Sequence, residues 1–501
     1  MAETDLRQPT RLLAVLLFVT YGYFVWPPSW NESSRLDLTR SLVERRTVDI
    51  DPYHLNTGDK AFRDGHHYSD KAPGASLLAT PVYGLYLGYL RAVGGAPPTF
   101  VTSVQSPGAA DRPEDYPVFA NASLRRALYL CNLLTNGLAG AALGAAFFAA
   151  LVRRFGVAPG LALTTACALG LGSLVLPYAT MFYGHVLAAA FLFGAFLLLP
   201  VTATTSSPRR LALAGGLAGL AVLTELPCAA VLGGLAVYAA LRLRPRRDTL
   251  WFLAGAAGPL LVLLAYQHLA FGDALRPGYA YVERPEFAEG MSQGVMGVGL
   301  PRPNVLLQIL VGRSRGLLYL SPVLALGFVG LARWLRRRDR DRGPALLAAL
   351  IVAFFLLMNA GYYMWHGGAA IGPRHMIPAL PFLCLGVPFA APRPGRVTTG
   401  LLAGLLAISI ANQLAATLVD PAAPLVPDVL RDHVWAHLLR GEVAVPWGAG
   451  NLGALMGLPG AASVLPLAVL WALGLAVLLP TLTRTPGGAD PLSVPPASEA
   501  R

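Results

Sequence analysis

Charge is scarce in this chain of 501 residues, and lysine is almost absent from it. Only 13% of the residues are charged, whereas a soluble globular domain carries about 25%. Apolar residues make up 55% of the chain, and they occur in runs close to the ~20 residues that cross a bilayer as a helix. This composition excludes an ordinary soluble protein and predicts an all-α polytopic membrane protein.

Cysteine is also rare, and its positions exclude two kinds of site. The chain has four cysteines, and each lies inside an apolar run. They therefore predict neither a disulfide framework nor a cysteine-based metal site. The sequence also lacks a phosphate-binding glycine loop with lysine, an H-E-x-x-H helix and a G-x-S-x-G elbow. This argues against the soluble enzyme classes that use those motifs.

Arginine supplies nearly all of the positive charge, and the formal net charge is +12. The arginines cluster in short polar segments that begin at residues 153, 209, 242, 333 and 393. Such segments stay on the cytoplasmic side of a membrane under the positive-inside rule. Nucleic-acid binding is the alternative explanation of basic clusters. Here each cluster separates two apolar runs, so no nucleic-acid partner is expected.

The apolar runs and the arginine clusters together predict twelve spanning helices, with both chain ends in the cytoplasm. Arg7 and Arg11 precede the first run, and the WPPSW that ends it is no signal-peptidase site, so this run is interpreted as a retained helix. The predicted spans are residues 12–26, 127–152, 161–180, 186–202, 211–225, 227–241, 250–269, 317–334, 344–363, 376–390, 397–419 and 462–482.

Because successive spans cross the membrane in opposite directions, the segment 28–126 must both begin and end on the outer face. Residues 75–93 are nevertheless apolar, and if they crossed the membrane, every later arginine cluster would lie outside. We therefore expect them to dip into the membrane or to lie along it. The sequence predicts a single domain over residues 1–483, with outer segments at 28–126, 272–316 and 420–460. The tail, 484–501, is rich in Pro, Gly and Ser and is predicted to be disordered in the cytoplasm.

Two carboxylates follow the first apolar run. Ser34 and Asp37 match the S-x-x-D capping signature, and the apolar residues after them predict an amphipathic helix at the membrane interface, with Arg35 and Arg40 on its polar side. Asp37 is therefore either a helix cap or a catalytic group. Glu32 lies before this predicted helix, where it is either a solvated loop charge or a general base.

The only two lysines, Lys60 and Lys71, each follow an aspartate. Lys71 directly precedes the apolar segment 75–93, so its ammonium is expected at headgroup height, where a compact cation suits a phosphate. The alternative is a snorkelling lysine that anchors the segment. Asp70 either orients Lys71 or offers a further carboxylate. Asp59 and Lys60 are interpreted as a turn.

Further ionisable and aromatic side chains occur at predicted outer helix ends. Each alone could be an interfacial anchor, because aromatic and basic residues favour that depth. Ionisable residues at membrane level are functional candidates by default, and several on one face favour a site. They are His185 in MFYGH, Glu225 in TELP, and Trp365, His366, Arg374 and His375 in YYMWHGGAAIGPRHMIP.

These features resemble the GT-C integral-membrane glycosyltransferases, of the bacterial aminoarabinose-transferase and protein-mannosyltransferase type. The resemblance covers roughly residues 12–383 in layout. The family's Asp-Glu pair after the first helix is matched by Asn31 and Glu32, and its K-P-P by the KAP at 71–73. Its T-K-x-P is matched by TELP at 224–227, and its outer R-x-x-D falls near His185.

The resemblance implies a GT-C-like bundle in the cytoplasmic (inner) membrane, which transfers a sugar from a polyprenyl-phosphate donor to a hydroxyl on the outer face. The partners would be that donor, the lipid bilayer and an acceptor of unknown type, with either no cofactor or a divalent cation. The alternative function is a transporter or flippase for a polar lipid. The candidate catalytic residues are Glu32, Asp37 and Asp70, and the candidate substrate-binding residues are Lys71, Arg35, Arg40, Asp59, His185, Glu225, Trp365, His366, Arg374 and His375.

Overall fold

A computed structural model describes residues 6–101, 119–200, 205–337, 342–390, 395–444 and 450–482. This part of the chain is predominantly helical, with two short antiparallel strand pairs, β1–β2 and β3–β4, so the predicted all-α class is confirmed. The strands are β1 Lys60–Arg63, β2 His66–Ser69, β3 Phe100–Val101 and β4 Phe119–Ala120. The helices are α1 Arg7–Gly22, α2 Trp30–Arg40, α3 Gly74–Ala92, α4 Ala122–Asn132, α5 Leu138–Arg153, α6 Pro159–Gly170, α7 Val175–Ala179, α8 His185–Leu198, α9 Pro208–Thr224, α10 Cys228–Arg242, α11 Thr249–Phe271, α12 Pro285–Met291, α13 Pro303–Val311, α14 Leu317–Leu320, α15 Ala325–Arg336, α16 Gly343–Gly361, α17 Leu380–Cys384, α18 Val387–Ala390, α19 Arg396–Val419, α20 Trp435–Leu439, α21 Leu452–Leu455 and α22 Leu465–Thr481.

Five of the described helical segments are long and apolar enough to cross a membrane. They correspond to the predicted spans 127–152, 250–269, 344–363, 397–419 and 462–482. The segment Ala122–Arg153 joins α4 and α5 through a π-helical turn into one 32-residue helix. The count of twelve spans, the side on which each loop lies and the division into one domain stay predictions. The predicted tail, 484–501, lies outside the described residues.

Three predicted spans are not continuous helices. Residues 161–180 break between α6 and α7, residues 317–334 break between α14 and α15, and residues 376–390 form a 3-10 turn followed by α17 and α18. Proline lies at or beside each break, at positions 177, 322, 378, 381 and 388. Proline has no backbone N–H to continue a helix. The length of an apolar run predicts a membrane span but does not show where the helix within it is interrupted.

Helix α9 and the membrane-sized helix α11 pack through small residues. A Cβ atom at Gly215 of α9 would lie 1.8 Å from the carbonyl oxygen of Phe252 in α11, and one at Gly255 would lie 1.9 Å from that of Ala212. Only glycine permits this approach, which is the usual way in which helices associate in a membrane. The α9–α11 pair is a rigid support for the polar groups at the end of α9.

The beginning of α2 differs from the sequence prediction. The helix begins at Trp30 with Ser29 as its N-cap, and Glu32 completes a capping box by accepting from the Ser29 backbone N–H at 2.9 Å. The assignment of Ser34 and Asp37 as a cap is therefore wrong, because both lie inside the helix. Asp37 is fully buried there.

The amphipathic character predicted for this helix is also wrong. Arg35 and Arg40 are only 3% and 4% exposed, and every residue from Asn31 to Arg40 is buried. The helix packs against α3, since the Ser76 hydroxyl donates to the Arg35 carbonyl oxygen at 2.9 Å. It also contacts β2 through the hydroxyls of Ser34 and Ser69, 2.8 Å apart. Residues 30–40 thus lie between the β1–β2 hairpin and α3 rather than on the surface.

The sidedness of the loops can be tested with two exposed positions. We expect a cysteine at Ala96 to react with a membrane-impermeant thiol reagent in intact cells, and one at Arg209 to react only after the membrane is opened. Both side chains are exposed to the surroundings, so lack of reaction reports sidedness rather than burial. The cysteines are introduced into a background without Cys131, Cys167, Cys228 and Cys384. Labelling of position 209 but not 96 in intact cells would contradict the predicted topology.

Candidate active site

Eight of the thirteen candidate residues meet in one polar pocket of about 70 Å³, although they are spread over more than 300 positions of sequence. Carboxylates, cations and imidazoles line it together with aromatic and apolar side chains from α12, from the segment before α12 and from the segment after α16. The lining residues are Asn31, Arg35, Asp59, Asp70, Lys71, His185, Glu225, Tyr279, Val282, Phe287, Met291, Tyr362, Tyr363, Met364, Arg374 and His375.

Lys71 lies between two carboxylates in this pocket. Its Nζ is 2.9 Å from Asp59 Oδ2 and 3.0 Å from Asp70 Oδ2, and its side chain is 13% exposed. Burial alone would lower the pKa of Lys71, but the two carboxylates raise it. Lys71 is therefore a fixed ammonium, and the interpretation of Asp59 as part of a simple turn missed this ion pair.

The two aspartates differ in their titration. Burial opposes ionisation of both, but the Lys71 ammonium holds the pKa of Asp59 below its usual range. The pKa of Asp70 is raised, because burial and the Asp59 charge outweigh Lys71. Asp70 Oδ1 is also buried and has no hydrogen-bond partner in the described part of the chain. Asp59 is thus a permanent counter-ion, whereas Asp70 has a free oxygen and is the more basic carboxylate of the pair.

A second ion-pair group lines the same pocket. Glu225 Oε1 is 3.4 Å from Arg35 Nη2 and 3.1 Å from His185 Nδ1. Arg35 also donates through Nη1 to the side-chain oxygen of Asn31, and Asn31 donates to Asp59 at 3.4 Å. A continuous polar chain therefore joins Glu225 at the end of α9 to Lys71 before α3.

Arg374 is the one cation of the pocket that makes no hydrogen bond or ion pair through its side chain within the described residues. Its guanidinium lies over the ring of Tyr183, 5.2 Å from the ring centre, and its Nε is buried without a partner. His375 Nε2, next to it, is buried and unpartnered as well. A guanidinium in a polar pocket that no carboxylate contacts directly is a site for an anionic ligand.

Two glycines allow these elements to approach. A Cβ atom at Gly74 would lie 2.5 Å from Thr224 Oγ1, and one at Gly184 would lie 2.3 Å from Glu225 Oε1. The beginning of α3 can therefore lie against the end of α9, which brings Lys71 to the same pocket as Glu225. The glycine before α8 likewise leaves room for the Glu225 carboxylate beside His185.

Five candidate residues do not line this pocket. Trp365 and His366 belong to the loop that carries Arg374, but they face elsewhere, and Arg40 pairs with Glu44 at 3.0 Å. Asp37 accepts from Asn56 at 3.2 Å within the packing of α2. Glu32 lines a different, larger cavity.

Glu32 has a structural role that the sequence interpretation missed. Its Oε2 accepts the Ser29 N–H at 2.9 Å, and its Oε1 accepts the Phe182 N–H at 3.0 Å. Burial raises the pKa of Glu32 to about 7 against these hydrogen bonds. The side chain thus ties the beginning of α2 to the segment between α7 and α8, and its predicted role as general base stays a prediction.

Sequence patterns also missed several pocket residues. Tyr279 lies in a segment with no motif, and its contribution depends on how residues 272–316 fold back over the pocket. Tyr362 and Tyr363 belong to the YYMWHGG stretch quoted above. Two adjacent tyrosines shortly before a glycine pair are the sequence feature that could have indicated them as pocket residues. No group of three or more His, Cys, Asp or Glu side chains with metal-binding geometry occurs among the described residues.

Burial raises the pKa of Asp37 to about 8, and this gives a testable pH dependence. In the unfolded chain the group ionises near pH 4, so its contribution to folding is fully present below about pH 4 and is lost as the pH rises to about 8. Asp37→Asn, which is always neutral, should therefore gain melting temperature over the wild type progressively between about pH 5 and 8. The exposed Asp64→Asn is the control. A gain that does not change with pH would refute the prediction.

No protein-family model and no curated protein matches the chain. The solved structures similar to it include two of ArnT from Cupriavidus metallidurans, one in the apo state and one bound to undecaprenyl phosphate. Each aligns with a TM-score of 0.47 and 16% sequence identity over 95% of this chain. The alignment covers 75% of the apo chain and 73% of the undecaprenyl phosphate-bound chain.

Proposed function

We propose that this protein is an integral-membrane glycosyltransferase that moves a sugar from a polyprenyl-phosphate donor to an acceptor hydroxyl on the outer face of the membrane. The observation that carries the proposal is the unpaired Arg374 guanidinium in the same pocket as Lys71 and Asp70. Arginine and lysine are the usual ligands of phosphate, and a carboxylate beside them can accept the proton of an attacking hydroxyl.

The reaction proceeds by exchange of one bond at the anomeric carbon of the donor sugar. The acceptor oxygen forms a bond to that carbon, the bond to the phosphate oxygen breaks, and the acceptor proton passes to Asp70 Oδ1. The departing polyprenyl phosphate carries the negative charge, which Arg374 and Lys71 stabilise. Stabilisation of developing charge by preorganised groups is often the largest contribution to catalysis.

The small size of the pocket means that part of the protein must move before the donor can bind. About 70 Å³ has room for a few water molecules but not for a whole lipid-linked sugar. Tyr279, Phe287 and Met291 cover it from the second outer segment. Donor binding therefore requires this segment to move away from Arg374 and Lys71.

Phosphate recognition is tested most cleanly at Arg374, because no ion pair is broken when it is replaced. Purified protein in lipid nanodiscs should gain melting temperature when polyprenyl phosphate is added, as expected for a ligand that binds the folded state. Arg374→Gln should keep the unliganded melting temperature and lose most of that gain. Arg276→Gln, at an exposed arginine of the predicted outer segment 272–316 that does not line the pocket, is the control.

The function itself is tested by sugar transfer in the same nanodiscs. Polyprenyl-phosphate sugar and a mixture of envelope lipids and glycans should yield a glycosylated product by mass spectrometry, and a strain that lacks the gene should lose the same product. A protein that binds polyprenyl phosphate and moves it between leaflets without any sugar transfer would instead be a flippase.

A further inference from the structure

A second cavity of the described chain is separate from the Lys71 pocket and has no role in the chemistry above. It has a volume of about 460 Å³ and lies where α1, α2 and α19 end or begin. Most of its lining is apolar, and its polar groups are few. The residues are Trp26, Pro27, Pro28, Ser29, Glu32, Met181, Ala369, Asp420, Pro421, Ala422, Pro424 and His433.

We infer that this cavity binds the acceptor, and that the acceptor is a lipid with an uncharged, hydroxyl-bearing headgroup. This inference rests on the proposed glycosyltransferase function for its biological meaning. The binding chemistry follows from the side chains that line the cavity and can be tested without any transfer assay.

The cavity adjoins the Lys71 pocket through two shared elements. Ser29 and Glu32 line the cavity on the first turn of α2, and the same helix continues to Asn31 and Arg35 in the pocket. Ala369 lines the cavity in the loop that leads on to Arg374. An acceptor seated in the cavity therefore lies beside the groups assigned to the donor.

Tyr183 contacts one residue of each space. Its hydroxyl is 3.5 Å from Ser29 Oγ on the cavity side, and its ring carries the Arg374 guanidinium on the pocket side. A hydroxyl of the acceptor has only to pass this ring to reach the donor. The apolar body of the acceptor can stay in the cavity meanwhile.

The charge pattern excludes an anionic headgroup. No lysine or arginine lines the cavity among the described residues, and burial lowers the pKa of His433 to about 4, so this imidazole is neutral. Two carboxyl groups, Glu32 and Asp420, lie in the wall instead. A phosphorylated headgroup would be placed beside acidic groups without a counter-ion, which is costly in a buried site.

The same groups suit a hydroxyl better than an ammonium. Burial raises the pKa of both Glu32 and Asp420 to about 7, so neither is a dependable negative charge. Asp420 Oδ2 and His433 Nε2 face each other at 3.8 Å, too far for a hydrogen bond. The His433 side chain is 8% exposed and its Nε2 has no partner. A hydroxyl between the two groups could satisfy both.

The position of the cavity favours a lipid. Trp26 follows the first apolar helix, at the depth where tryptophan meets the lipid headgroups. Asp420 directly follows α19, one of the five membrane-sized helices. A cavity at the ends of the first apolar helix and of α19 can take an acyl or prenyl chain from the bilayer while its polar groups hold the headgroup.

Photolabelling in lipid nanodiscs tests the site directly. The probe is octyl glucoside with a diazirine on its alkyl chain, and labelled peptides are identified by mass spectrometry. We expect label at residues 26–32 and 420–433 that excess octyl glucoside removes. Octyl phosphate and a hydrophobic serine peptide should not remove it. Competition by octyl phosphate equal to that of octyl glucoside would overturn the inference, and stronger competition by the peptide would point to a protein acceptor and overturn it too.

Matched variants separate this site from general membrane labelling. Ala369→Trp places an indole in the cavity at an exposed position and should weaken the competed labelling by about tenfold or more. Ala461→Trp, at an exposed alanine that lines neither cavity, should not. His433→Phe should weaken competition by octyl glucoside while it keeps the apolar volume. Unchanged competed labelling in both cavity variants would refute the inference.

Failure of the glycosyltransferase proposal and failure of the acceptor-site inference give different experimental results. Lys71→Arg, which keeps the charge between Asp59 and Asp70, should leave the competed labelling intact, because Lys71 does not line the cavity. If polyprenyl phosphate does not bind and no transfer occurs, but the labelling still depends on Ala369 and His433, the cavity is a lipid site and the proposed reaction is wrong. If transfer occurs and the labelling is not competed, the reaction stands and the acceptor binds elsewhere.

Discussion

Lys71→Ala should lower sugar transfer by roughly 10²–10³-fold, the usual cost of removing one group that stabilises charge in a transition state. Lys71 is the only lysine in the pocket, and its ammonium lies between Asp59 and Asp70. Without it, the donor phosphate would face two carboxylates and lose a cation. Transfer from a polyprenyl-phosphate sugar in nanodiscs, at matched protein amounts, measures the effect.

Removal of Lys71 also leaves two buried carboxylates unpaired, which destabilises a fold by several kcal/mol in general. Lys71→Arg distinguishes this effect from a catalytic one because it keeps the charge. We expect it to keep most of the melting temperature but only part of the transfer activity, since the guanidinium is larger, planar and more weakly hydrated. Full activity in Lys71→Arg would mean that Lys71 only neutralises its carboxylates.

The other lysine is a natural control. Lys60 pairs with Glu283 at 3.2 Å and donates to the His54 carbonyl oxygen, outside the pocket. Lys60→Ala and Lys60→Arg should both keep transfer within about twofold, because a partly exposed ion pair contributes little. A loss at Lys60 equal to that at Lys71 would show that the hairpin as a whole, rather than the phosphate contact, had been disturbed.

The scarcity of charge explains why sequence alone predicted so many pocket residues. In a chain with few ionisable groups outside its arginine clusters, those that remain at apolar helix ends are expensive to place and are rarely incidental. Lys71, His185, Glu225 and Arg374 were all selected on this basis, and all of them line one pocket. The same principle could not show that Trp365, which lies in the loop that carries Arg374, does not line the pocket.

Pairing could not be predicted, because it depends on contacts between distant parts of the chain. Arg35 and Glu225 are 190 positions apart, and no local pattern relates them.

The first residue of α2 was predicted wrongly for a different reason. Both Ser29–Glu32 and Ser34–Asp37 have capping spacing, and the packing of α2 against α3 and β2 decides between them. Ser29 is therefore the N-cap, Glu32 completes its capping box, and Asp37 is a buried residue inside the helix.

The identity of the general base is the question on which the sequence and the structure diverge most. Both oxygens of Glu32 accept backbone N–H groups, whereas Asp70 Oδ1 lies unpartnered beside Lys71. Asp70→Asn should therefore lower turnover by roughly 10²–10⁴-fold while donor-phosphate binding persists, since Arg374 and Lys71 remain. Asn keeps the size of the side chain, so the melting temperature should change little.

Glu32→Gln should give the opposite pattern. Its amide presents an N–H₂ to one of two backbone donors, so one hydrogen bond is lost and two donors oppose each other. We expect a lower melting temperature and a modest loss of transfer that follows the amount of folded protein. The pH dependence of the transfer rate separates the two carboxylates further. Ionisation of the general base gives a rise in rate with pH in the wild type, and only the amide variant of that base should lose this rise. If Asp70→Asn transfers normally and Glu32→Gln is inactive at full stability, the base is Glu32, and the attacking hydroxyl is activated at the wall of the large cavity rather than beside Lys71.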